Sequence, residues 1–288
     1  MIDREDGEQR PCLALMGEFS AGKSTLANLL IGSDPLPVQV IATQLPPVVI
    51  SHGSASAYSV GLDGTRRTVD VTNLAALRME DIAYLQIFCE EDLLLQCDLM
   101  DMPGISDPNM DPEVWERMIG QADGVLWCSH ATQAWRQSEA AVWSELSEDL
   151  HDRSLLLLTR IDKLQSQADR DRVVARVEKE TRGLFRAVLP ISLLLATREQ
   201  EDYELWSQSG AEAFASALVE LLQDLNGGGG QIDEALESRA EVSLPGLEAP
   251  ERPPIAARAP GPVRQDSDGP RVVPRRVRAS GMTPRPPL

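Results

Sequence analysis

Short, nearly unbroken apolar runs recur along the chain: Cys12–Met16, Val48–Ser51, Ile82–Cys89, Asp98–Met100, Gly124–Cys128, Ser154–Thr159 and Ala187–Ile191. Between them, apolar residues return every three or four positions. A strand covered on both faces has no polar side to alternate with, so this pattern predicts a mostly parallel central sheet flanked by helices, an α/β fold. One helix is expected where Trp143, Leu146 and Leu150 follow a cap at Ser138. Another carries Phe214, Leu218, Leu221, Leu222 and Leu225 and stops at Asn226-Gly227. Ala57–Gly61 and Arg66–Val71, joined across Asp63-Gly64, predict a surface strand pair followed by a short helix over Thr72–Met79.

From Asn226 the pattern dissolves into four consecutive glycines, then eleven of the twenty prolines, with no aromatic residue. Such a segment buries too little apolar surface to offset its ordering entropy, so a disordered tail over 226–288 is expected after a domain over 1–225. Charge divides in the same way. The chain carries -18 overall, yet Ala249 to Leu288 has eight arginines against three carboxylates, a net +5 that leaves -23 on the rest. An acidic body repels nucleic acid and anionic lipid, so no nucleic-acid partner is expected and any such contact falls to the tail.

Cys12, Cys89, Cys97 and Cys128 show no C-x-x-C spacing and mostly sit in apolar runs, the pattern of buried thiols in a reducing compartment. No apolar run approaches the roughly 20 residues that span a bilayer, and the first ten residues lack the pattern of a signal peptide. A soluble, cytoplasmic protein is expected, with contact at a membrane surface left open.

The residues Gly17-Glu18-Phe19-Ser20-Ala21-Gly22-Lys23-Ser24 fit G-x-x-x-x-G-K-[ST], with an apolar strand before them and a helical run from Thr25 after them. The glycines let backbone amides wrap phosphate oxygens, Lys23 reaches the outer phosphates, and Ser24 is placed to ligate Mg²⁺. Asp101-Met102-Pro103-Gly104 ends a strand with a carboxylate suited to a metal-bound water. Gly104 follows, with an amide free to approach a γ-phosphate. Thr159-Arg160-Ile161-Asp162 places Asp162 at a strand's C-terminal edge, where a carboxylate accepts from guanine N1-H and N2-H₂ and the Arg160 stem covers the base.

GEFSAGKST, DMPG and TRID, in this order and spacing, resemble the dynamin-like GTPases, especially their bacterial branch, from about Leu13 to Leu225. The resemblance implies a Mg²⁺-dependent P-loop GTPase that converts GTP to GDP and phosphate. It also implies that Thr43, in Thr43-Gln44-Leu45-Pro46, is a second Mg²⁺ ligand beside Ser24 and Asp101, and that Ser20 helps shape a cation site. Ser192, in Pro190-Ile191-Ser192, would contact the guanine carbonyl, although Leu193 stands where the family usually has alanine. Ala131–Glu139 falls where dynamins place a loop that reaches a second head. Two readings of it stay open: Gln133, Trp135 or Arg136 acting in trans within a nucleotide-dependent homodimer, or a loop anchored by a buried Trp135.

Both positions at which relatives hold a water-orienting glutamine are apolar here, Phe19 and Ile105. Slow hydrolysis by the isolated chain, stimulated by dimerisation or a partner, is therefore expected, with a nucleotide-sensing module of little turnover as the alternative. No long helical stalk is evident after Ser192, so a head without a stalk is expected. Pro274–Arg278 and Thr283–Leu288 mix prolines with arginines, leaving two readings of the tail: a solvated end, or a handle for an acidic surface, lipid headgroups or a proline-reading domain.

Overall fold

The computed structural model describes residues 9–32, 46–71, 81–105, 112–198 and 202–227, together with Leu244, Gly246 and Leu247. Thr43, the helix expected at Thr72–Met79 and nearly all of the C-terminal 60 residues lie outside the described residues.

The strands are β1 (Cys12–Gly17), β2 (Val48–His52), β3 (Tyr58–Gly61), β4 (Arg66–Thr68), β5 (Ile82–Cys89), β6 (Asp98–Asp101), β7 (Gly124–His130), β8 (Ser154–Thr159) and β9 (Ala187–Pro190). The helices are α1 (Lys23–Ile31), α2 (Pro112–Ile119), α3 (Gln137–Ser144), α4 (Gln167–Glu180), α5 (Leu193–Arg198), α6 (Tyr203–Gln208) and α7 (Ala211–Gly227). Among the described residues the strands form one sheet in the order β4-β3-β5-β2-β6-β1-β7-β8-β9. From β6 to β9 every pairing is parallel. β2 and β5 run parallel to each other, but β2 is antiparallel to β6, and the β3–β4 hairpin is antiparallel to β5. The sheet is thus mostly parallel with one reversed wing.

Alternation along each central strand sends neighbouring residues to opposite faces. Leu13 and Leu15 of β1, Leu126 and Cys128 of β7, and Leu155 and Leu157 of β8 meet α1, Trp206 of α6 and the Phe214, Leu218, Leu221 and Leu222 stripe of α7. Ala14 and Met16, Val125 and Trp127, and Leu156 and Leu158 meet Met118 and Ile119 of α2, Trp143 of α3 and Val177 of α4. With both faces covered, these runs need no polar alternation.

The helix expected after a cap at Ser138 shifts at both ends, and at its start Arg136 is the N-cap of α3, with Ser138 inside the first turn. α3 ends at Ser144 rather than continuing to Leu150, because the Ser147 hydroxyl accepts from Asp149 N and starts a separate 3₁₀ turn over Glu148–Leu150. Leu146 and Leu150 remain buried on the same face as Trp143. Within the composition-defined tail, Leu244 and Leu247 are buried in the core cluster that contains α1. These two leucines belong to the compact unit bounded at Arg252.

Candidate functional site: a phosphate-binding loop and a base-reading turn

β1 ends at Gly17, whose φ of 133° lies in a region that side chains avoid, and a Cβ there would stand 2.0 Å from the Cys128 carbonyl oxygen of β7. Only glycine lets β1 pass β7 this closely and turn into the loop. Ser20, at φ 58°, and Gly22, at φ 101°, continue the turn into α1. Gly22 is the α1 N-cap and offers no side-chain cap, so the first amides of the helix keep their donor capacity for an anion. Lys23 folds back over the loop, donating from Nζ to the Gly17 carbonyl (3.0 Å) and the Glu18 carbonyl (2.8 Å). The ammonium is therefore held where a phosphate chain would lie, by two carbonyl oxygens of the loop itself.

Ser24 Oγ donates to Asp101 Oδ2 at 2.9 Å, bringing together two of the expected metal ligands from α1 and the end of β6. Asp101 Oδ1 is buried and makes no hydrogen bond among the described residues. Burial pushes the Asp101 carboxyl up to about 6, against the opposing pull of the Lys23 charge and the Ser24 hydrogen bond. Gly104 packs on the Phe19 backbone: a Cβ on it would stand 2.9 Å from Phe19 N. The Phe19 ring itself projects into solvent with 68% of its surface exposed. Next to Gly104, Ile105 N donates to the Gly17 carbonyl at 3.2 Å, tying this turn to the phosphate loop.

The TRID segment is tied to that loop as well. Thr159 is fully buried, and its Oγ1 donates to the Ala21 carbonyl at 2.7 Å, reaching the Ser129 carbonyl at 3.3 Å. Arg160, at φ 56°, donates from Nη2 to the Ser20 carbonyl at 2.8 Å, with Nη1 3.4 Å from His130 Nε2. Burial, followed by the Arg160 charge, holds His130 below the usual histidine range. Asp162 Oδ1 accepts from Ser192 Oγ at 2.6 Å, so the two residues expected at the guanine edge meet although 30 positions separate them. Leu193 lies under the loop, its Cδ1 3.1 Å from where a Gly22 Cβ would be. The larger side chain at the position of the usual alanine thus fills space against the phosphate loop.

The Ala131–Glu139 segment resolves into the anchored reading for one residue. Trp135 is buried, edge-on to Trp127 and Phe185 at centroid distances of 6.1 and 5.4 Å, and so is no candidate to act in trans. An indole that apolar neighbours enclose has more to lose by exposure than to gain from it. Gln133 and Arg136 are exposed. Sequence reading missed the group that shapes this loop. Glu139 is buried and accepts from Trp127 Nε1 (3.0 Å), Ser129 Oγ (3.0 Å) and Arg136 N (2.9 Å). Its signal was a Glu at the third position of a helix, where a side chain reaches back to the cap backbone. Ser138 Oγ adds a link to Glu18 Oε1 at 2.7 Å, joining this segment to the phosphate loop.

A mixed sheet with a phosphate-cradling loop between its central strand and α1, a strand-end carboxylate beside the helix serine, and an Asp162–Ser192 pair at the far edge defines a P-loop domain of the GTP-binding class. The chain belongs to the dynamin family, whose family model matches residues 13–161. It is 25% identical over 217 residues to dynamin-like protein 2 of Campylobacter jejuni, an alignment covering 73% of this chain and 34% of that protein. It is 29% identical over 234 residues to the isoniazid-induced protein IniC of Mycobacterium tuberculosis, covering 69% of this chain and 46% of that one. A solved bacterial dynamin, from an oligomerised pair described as sensing and tethering membranes at long range, shares the fold with a TM-score of 0.60 and 18% identity, over 81% of this chain and 47% of its own. The chain thus spans between a third and a half of the length of these relatives. GTP binding and hydrolysis, in general terms, are the activity of a domain of this family. Among the described residues, no helix is long and apolar enough to cross a membrane.

Proposed function

We propose that this chain binds GTP together with Mg²⁺ and hydrolyses it slowly alone, and faster when a second copy or a partner completes the site. The observation that carries the nucleotide assignment is that Lys23, Ser24–Asp101 and Asp162–Ser192, from parts of the chain far apart in sequence, all lie at the C-terminal ends of β1, β6, β8 and β9. Asp162 accepts the two donors of guanine, while Ser192 fixes the carboxylate's orientation. Adenine offers no such donor pair.

The residues fit Mg²⁺. Ser24 Oγ and Asp101 supply hard oxygen ligands, and the hydrogen-bond-free Oδ1 of Asp101 is a buried acceptor in need of a partner. Thr43 is proposed as the third protein ligand. Bound there, Mg²⁺ would neutralise charge on the phosphate oxygens during transfer. Lys23, the uncapped α1 amides and the Gly104 amide share that task, and the loop's path is already set by Gly17 and by the Thr159 and Arg160 ties.

What the chain lacks is a polar side chain to orient the attacking water at Phe19 or Ile105. An exposed Phe19 supports completion from outside, with Gln133 and Arg136 as the exposed groups of the loop nearest to that role. The same absence favours a second reading, a nucleotide-controlled switch with little turnover. A cytoplasmic setting is proposed from the four free cysteines, and a place beside a membrane from the description of the related bacterial dynamin pair alone.

The base assignment is tested by Asp162→Asn. An amide can accept from N1-H and donate to a ring carbonyl, so the variant should lose GTP affinity by about a hundredfold or more and gain affinity for xanthosine triphosphate in equilibrium binding. Unchanged GTP affinity would remove Asp162 from the site.

A further inference from the structure

The phosphate-binding helix carries a second attachment that no nucleotide contact explains. Leu244 and Leu247 are 5% and 3% exposed and belong to the same core cluster as Leu26, Leu29 and Leu30 of α1. Between them, a Cβ on Gly246 would stand 1.6 Å from the Leu29 carbonyl oxygen and 2.6 Å from its carbon. Leu247 N donates to the Leu244 carbonyl at 2.7 Å, closing a tight turn over the last turn of the helix. No side chain fits at position 246 while this turn is seated, so glycine is required by the close approach and not by its backbone angle.

We infer that the Leu244–Leu247 turn is a releasable clasp on the phosphate-binding helix, through which the C-terminal part of the chain and the nucleotide site bias each other. α1 begins at Lys23 and Ser24 and ends under the clasp, so a rigid nine-residue helix joins the two. Among the described residues the clasp consists of Leu244, Gly246 and Leu247, and Leu244 lies 17 positions beyond the end of α7 at Gly227. It opens at smaller cost than the strands beneath it, which are buried on both faces. A clasp that steadies α1 lowers the cost of ordering the phosphate loop, and by reciprocity bound nucleotide holds the clasp shut.

Hydrogen exchange read by mass spectrometry on the full chain, free of nucleotide, tests this in two variants. Gly246→Ala expels the turn by steric conflict with Leu29. Leu244→Asp/Leu247→Asp expels it by charge and leaves the glycine in place. The expected result in both is exchange of the Leu26–Ile31 amides at least about fivefold faster than in the natural chain, with β1, β7 and β8 still protected, and GDP affinity about tenfold weaker. Wild-type exchange in α1 in both variants overturns the clasp, as does an equal loss of protection in β1, β7 and β8, which would mark general destabilisation. The affinity readout rests on the proposed nucleotide site but the exchange readout does not, so a natural chain that fails to bind GDP sinks the former reading without deciding this one.

Discussion

Asp101 shows what the site costs at the level of one residue. Its carboxylate is buried with one oxygen on Ser24 and the other without a hydrogen bond among the described residues, and burial lifts its pKa from 3.8 to about 6. The folded chain therefore holds that proton more tightly than the unfolded chain does. The stabilising contribution of the protonated acid is fully present below about pH 4 and is lost as pH rises through 6. A gap of about two units corresponds to roughly 3 kcal/mol as an upper limit. Asp101→Asn should therefore raise the Tm of the nucleotide-free, metal-free chain at pH 7.5 by roughly 5 °C, with the gain vanishing near pH 4, while GTP turnover is lost. A thermal melt series from pH 4 to 8 checks this, and a variant no more stable than the natural chain at pH 7.5 would mean that the buried ion is already compensated. Trp135 makes a complementary point. Its sequence neighbourhood suited a reaching loop and an anchored one equally, and only its contacts with Trp127 and Phe185 decide.

At the level of elements, the phosphate loop is a junction that three strands fix at once. Gly17 touches the Cys128 carbonyl of β7, Thr159 of β8 holds Ala21, and the turn after β6 holds Gly17 through Ile105 N. Gly17→Ala puts a Cβ 2.0 Å from a backbone oxygen in a φ region closed to alanine, so the β1–β7 pairing must open near the loop. GTP binding measured by calorimetry should fall below detection while the far-UV spectrum stays close to that of the natural chain. Retained micromolar affinity would show that the loop tolerates another path. Elements of this kind were legible because their chemistry is local: runs apolar on both faces, glycines spaced around a lysine, a carboxylate at a strand end. The reversal of β2 against β6 was not, since a buried strand has the same composition whichever way it runs. The early end of α3 escaped too, because Leu146 and Leu150 keep helical spacing while lying outside the helix. Leu244 and Leu247 were hidden by proline-rich surroundings, where two apolar residues do not alter an average that points to disorder.

At the level of the molecule, the described residues bring Lys23, the Ser24–Asp101 pair and the Asp162–Ser192 pair to the C-terminal ends of the strands, carry apolar side chains at positions 19 and 105, and expose Phe19 on the phosphate loop. Under the proposed function, binding is intrinsic to this chain and efficient hydrolysis is a property of an assembly. An in-trans group is worth about 10³–10⁵ in rate in related phosphoryl-transfer systems. The direct test is steady-state GTP hydrolysis, with ATP as control, over a thousandfold range of protein concentration. GTP-specific activity should be low at the dilute end and climb at least about tenfold with concentration or on addition of a partner. Specific activity that is already high and constant across the whole range would contradict the proposed function, because a single copy would then orient the water unaided.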